Sequence, residues 1–184
     1  MKGVMNKKSK NQRFSRRGQI WVETMVYTLI AFALIGLVLT FVKPKIQETQ
    51  DKGIIEQSVR ILEDIDSIVS ELTFGGPGNQ RVLEVGLNKG TLSIDGVNDR
   101  LYFKIESRYK YSEPGENVSF RGIIANTEKK GNINEVTLIK SYSGKYNITI
   151  QNRDELKDVT RASTPYKFII SDKGGSVINI DVTN

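Results

Sequence analysis

"SRRGQIWVETMVYTLIAFALIGLVLTFVKPK", residues 15–45, decides how the rest of the chain is read. Within it, residues 24–42 are nineteen consecutive uncharged residues, closed by Lys43-Pro44-Lys45. As a helix this run is roughly 28 Å long at about 1.5 Å per residue, close to the hydrocarbon thickness of a bilayer. A surface helix of a soluble domain keeps one polar face, and this run has none. The stretch therefore predicts a membrane-spanning helix. A cleaved secretory signal is the main rival, since "AFA" at residues 31–33 offers small residues two apart. Cutting there would leave "LIGLVLTFV" on the mature chain with no polar region before it. A plain signal anchor accounts for the apolar run but does not require Glu23, a carboxylate at its leading edge.

Upstream, residues 1–17 carry seven Lys or Arg and no acid. The rest of the 184-residue chain has twenty basic and twenty-one acidic residues, so the formal charge of +6 resides in this leader. A nearly neutral body argues against a nucleic-acid-binding surface. Positive charge ahead of the apolar run predicts the amino end in the cytoplasm and the carboxyl end outside. The chain has no cysteine and no histidine. This excludes disulfides, Cys/His zinc sites, thiol catalysis and a Ser-His-Asp triad, and an enzyme is not expected.

The segment "RRGQIWVETMVYTLIA" resembles the amino terminus of type IV pilin-like precursors, in particular the archaeal group with class III signal peptides. The resemblance covers about 25 residues. It implies a basic leader, residues 1–18, removed by a prepilin peptidase between Gly18 and Gln19. Gln19 then opens the mature chain and Glu23 stands fifth in it. The family pattern usually has Ser where this chain has Trp21. What the resemblance implies is a surface filament or pseudopilus built from copies of this or related pilin-like subunits on a membrane-embedded assembly platform. Physically, a new α-amino group at the helix start would be largely protonated near neutrality. A carboxylate one turn along also favours the positive end of the helix, and near lipid it seeks a partner. In a filament that partner is the amino terminus of a neighbouring copy. Glu23 alternatively snorkels to the cytoplasmic headgroups of an uncleaved, single-span surface protein, whose β domain binds a ligand or the envelope.

Downstream, "IQETQDKGIIEQSVRILEDIDSIVSEL" (residues 46–72) reads as an amphipathic helix. Ile55, Leu62 and Val69 recur every seven residues, with Ile65 and Leu72 three positions along. This stripe is expected to pack on the domain that follows. Pro44 can kink a packed helix without ending it, and Gly53 is a second soft point. Residues 20–72 are thus expected to form one long, bent helix: a spanning part, 19–43, and a stalk, 44–73. "FGGPG" (74–78) ends it and lacks the Gly-Lys-Ser/Thr of a phosphate loop. From residue 79 onward short β-branched and aromatic runs alternate with turn residues, among them "TLSID", "RLYFKIES", "VSFRGIIA", "EVTLIKSY" and "VINIDV". About eight antiparallel strands are expected, in a sandwich or barrel-like sheet over 79–184, with the last two as a hairpin. Residues 152–164 show no alternation and read as a loop or short helix. The fold class is α+β, a long amino-terminal helix followed by an extracellular β head.

Two sequons, Asn117-Val118-Ser119 and Asn147-Ile148-Thr149, are candidate glycosylation sites if the head is outside. Asp95, Asp99, Glu113, Asp172 and Asp181 lack the dense alternating spacing of a calcium loop, so no metal or other cofactor is expected. Six tyrosines in the β region read as core or cross-strand aromatics before they read as a ligand surface. The expected partners are membrane lipid, the prepilin peptidase, other pilin-like subunits and the assembly platform.

Overall fold

A computed structural model describes residues 16–184, with side chains from Ile20 onward; residues 1–15 of the expected leader lie outside the described residues. The chain divides at Lys45/Ile46 into two compact units. One helix, α1 (Arg16–Gly75), runs through this boundary with Pro44 inside it. A proline removes one backbone hydrogen bond, and the flanking sequence is otherwise helix-compatible, so the helix continues. Gly75 ends α1. The Gly76 amide caps back onto the Leu72 carbonyl at 3.1 Å, and Gly76 has a φ of 89°, a conformation that favours glycine.

Ten strands follow: β1 (Gln80–Val85), β2 (Thr91–Asp95), β3 (Arg100–Ser107), β4 (Asn117–Phe120), β5 (Ile123–Lys130), β6 (Ile133–Ser141), β7 (Asn147–Thr149), β8 (Leu156–Thr160), β9 (Tyr166–Gly174) and β10 (Val177–Thr183). They form a four-stranded sheet in the order β1-β9-β10-β7 and a six-stranded sheet in the order β4-β5-β6-β3-β2-β8. The α+β class is as expected from the sequence. Three details differ. "VSFRGIIA" is two strands, not one, because Arg121 and Gly122 both take positive φ and turn β4 back onto β5 as a two-residue hairpin. Within residues 152–164, expected as loop or short helix, lies strand β8. It is a sheet edge that buries only Val159, so its sequence carries no apolar alternation. The pairing is not wholly antiparallel either, since β10 runs parallel to β7. Which strands pair is a long-range matter that local pattern does not encode.

The core of the second unit combines the stalk part of α1 with both sheets. Ile55, Leu62, Ile65, Val69 and Leu72, the residues of the heptad stripe, are buried. They meet Leu101, Phe103 and Ile105 of β3, Val136 and Leu138 of β6, and Phe168, Ile170, Ile178 and Ile180 of β9 and β10 within one apolar cluster. Polar ties flank the stripe. Asp51 accepts from Lys89 Nζ and from the Arg108 amide, each at 2.7 Å. Asp66 pairs with Lys140 at 2.7 Å and Glu63 with Arg121 at 3.2 Å. On the outer face of the six-stranded sheet, Glu106, Glu135 and Glu128 stand directly opposite one another across β3, β6 and β5. Lys130 bonds Glu135 at 2.7 Å, and that bond, aided by the neighbouring carboxylates, holds the Lys130 ammonium above its ordinary pKa.

Candidate functional site

The leading part of α1 differs from the rest of the molecule in what it exposes. From Ile20 to Val42 its large apolar side chains, including Trp21, Leu29, Phe32, Leu37 and Phe41, are all open on every face. Water would penalise such a surface by about 25 cal/mol per Å2, and monomeric soluble proteins rarely expose contiguous apolar patches of more than a few hundred Å2. The segment is long and apolar enough to cross a membrane by length and composition. Its few polar groups are reconciled with an apolar medium. Thr24, Thr28 and Thr40 each donate their hydroxyl to the carbonyl four residues earlier, at 2.8–2.9 Å. Gly36 leaves open space where a Cβ would stand, a place for close helix approach.

Glu23 sits in this helix at its leading edge, exposed among apolar neighbours. Among the residues whose side chains are described, none forms an ion pair with it. Gly18 and Gln19 belong to the first turn of α1; only their backbone is described. Gly18, Gln19 and Glu23 therefore share one helical turn and a half, and the Gln19 nitrogen precedes Glu23 by one turn along the axis.

The two sequons are placed differently. Asn117 opens β4, where all four residues are exposed, and its Oδ1 accepts from Asn126 Nδ2 at 2.9 Å. Asn147 is exposed at the edge of its sheet, but Ile148 and Thr149 of that sequon are buried. The Thr149 hydroxyl donates to Asn179 Oδ1 at 3.1 Å. The acids weighed as calcium ligands are scattered, each with its own partner. Asp95 accepts from Asn98 and from Arg100 Nε at 2.8 Å; burial alone would raise its pKa, but these bonds outweigh it and hold the carboxyl below the ordinary value. Asp99 accepts from the Ile148 amide, Glu113 from Lys110, Asp172 from the Gly174 amide and Asp181 from the Gln151 amide. Among the described residues no group of three or more acids is placed to share a metal ion.

Sequence reasoning passed over one feature. Phe74, first residue of the breaker cluster, is 92% exposed, and a groove lies beside α1 under Phe120 and Tyr111. An aromatic residue at a helix break, two positions past Leu72, the last residue of the apolar stripe, is the available signal. Comparison with protein-family models, with curated proteins and with solved structures gives no match to this chain.

Proposed function

We propose that this chain is a type IV pilin-like structural subunit, processed between Gly18 and Gln19 and assembled through its apolar helix into a surface filament or pseudopilus. The observation that carries the reading is the apolar helix exposed on all faces with a lone carboxylate, Glu23, at its leading edge. A carboxylate well inside a bilayer costs a few kcal/mol, less near the interface. A neighbouring copy's amino group offsets that cost and fixes the axial step between subunits. The apolar faces then pack helix on helix once the subunit leaves the lipid. The β unit forms the surface of the filament. In this reading the protein carries no catalytic chemistry, and its partners are lipid before assembly, the peptidase and platform during it, and its own copies afterwards.

Mass spectrometry of the native protein tests the processing step: the expected mature chain begins at Gln19, and one beginning at Met1 or Leu34 rejects the reading. Glu23→Ala is expected to leave cleavage intact and to abolish recovery of filaments. Unchanged oligomeric state and surface display in that variant would instead favour an uncleaved single-span protein acting as a monomer.

A further inference from the structure

Between residues 20 and 42 the side chains that carry polar atoms are Trp21, Glu23, Thr24, Tyr27, Thr28 and Thr40. In lipid, or between packed apolar helices, a polar group without a hydrogen bond costs free energy. The three threonines meet this need inside the chain, by donating to carbonyls one turn back. Trp21 lies at the leading edge, where an indole suits the headgroup level. That leaves Glu23 and Tyr27. Both are exposed, and among the described side chains neither has a hydrogen bond or an ion pair, although they stand only four residues apart. A phenol carries its ring into apolar surroundings and still requires a partner for its hydroxyl. Glu23 is the one charged group of residues 20–42 and so the strongest acceptor among them.

Positions 19, 23 and 27 form one row along α1, each a turn beyond the last. Rows of this spacing are the ridges along which packed helices interlock. In the function proposed above, the Gln19 amino group of one copy meets Glu23 of its neighbour. Copies drawn from one membrane share one orientation, so their apolar helices run parallel. The contact then needs a displacement of four residues, roughly 6 Å at about 1.5 Å per residue. That displacement moves every member of the row level with the next. Where Gln19 of a second copy stands beside Glu23 of the first, Glu23 of the second stands beside Tyr27 of the first. Side chains of a helix lean alike toward its amino end, so the match in level holds at their tips.

We infer that Tyr27 is a second assembly contact, its hydroxyl donating to the Glu23 carboxylate of the neighbouring copy. A carboxylate has two oxygens, so each Glu23 accepts from a tyrosine on one side and from an amino group on the other. Neighbouring copies are thus joined by two bonds in place of one, both satisfied at the same axial step. The inference rests on the filament reading and adds to it the group that completes the surroundings of Glu23.

Full-length Tyr27→Phe and Tyr27→Leu, made in the native cells beside the unaltered protein, test it. Sheared surface filaments are quantified per mature subunit remaining in the membrane. Phe removes the hydroxyl alone, and recovery is expected to fall about tenfold or more, as for a lost hydrogen bond to a charged group, with Leu at least as low. Cleavage before Gln19, read by mass spectrometry, and resistance to alkaline carbonate extraction are expected to be unchanged. Full recovery with Phe overturns the inference and leaves the filament reading standing; if Leu alone is impaired, the ring matters and the hydroxyl does not. A Phe variant extracted by carbonate places the hydroxyl at the lipid surface and also overturns the contact. No filaments from the unaltered protein overturns the filament reading, and the Tyr27 contact with it.

Discussion

Glu23 and Asp95 are both carboxylates, and their surroundings treat them in opposite ways. Asp95 is almost fully buried, yet bonds from Asn98 and Arg100 favour its charged form and lower its pKa. Its contribution to stability is therefore complete above its unfolded value of 3.8 and declines as pH falls through the lower folded value. Asp95→Asn should flatten the acid side of the stability–pH profile, and near neutrality it should cost about 1.5–3 kcal/mol, as for lost hydrogen bonds to a charged group. Urea unfolding between pH 2 and 7 measures both. Glu23 has no such protein partner among the described side chains, and under the proposed function its substitution should act on assembly and leave the stability of residues 46–184 unchanged. Asn117 and Asn147 also separate at this scale. If the head is glycosylated, glycopeptide mass spectrometry should find the modification at Asn117, on the exposed strand, and Asn117→Gln should remove it. Asn147 should be bare, because the Thr149 hydroxyl beside it is buried and bonded. A glycan on Asn147 alone would contradict this.

Among the elements, the stalk part of α1 was the most readable in the sequence. A seven-residue recurrence of aliphatic residues has few solutions other than a buried helical stripe, and Ile55, Leu62 and Val69 are fully buried. Leu62→Ala should lower stability by about 2–5 kcal/mol through the cavity it leaves, without altering membrane insertion, since Leu62 lies outside the apolar run. Chemical unfolding in detergent checks the first effect and alkaline carbonate extraction the second. Strands with one buried face were readable too: "RLYFKIES" alternates in sequence and in burial along β3. β8 was not, because an edge strand with one inward apolar residue offers almost no period-two signal. The β4–β5 turn was missed for a different reason. Arg-Gly is a less familiar two-residue turn than Asn-Gly, and the apolar residues on both sides let one strand be read through it.

For the molecule as a whole, two different solvents are implied by one chain. Every residue of the buried apolar cluster lies after residue 45, whereas the large side chains of residues 20–42 are bare. Residues 46–184 should therefore fold alone in water, giving a strand-rich circular dichroism spectrum and a cooperative melt, while the full-length chain should require detergent or membrane. A 46–184 fragment that is insoluble or melts without cooperativity would refute this division. The same division explains what could be read about function. The motif on which the proposed function rests is local, a few residues of fixed type at fixed spacing, so a short stretch suffices to propose it. The groove beneath Phe120 depends on how far β4 overreaches the helix, a long-range outcome of strand order that no short stretch encodes.

The strand order carries one further implication, for how the head is made. β10, tenth to emerge from the ribosome, lies between β9 and β7, and the four-stranded sheet is discontinuous without it. Its Ile178 and Ile180 are fully enclosed. The six-stranded sheet has all its strands once β8 has emerged, whereas the four-stranded sheet that closes the other side of the core waits for β10, which makes loss of β10 more damaging than loss of an outlying strand such as β8.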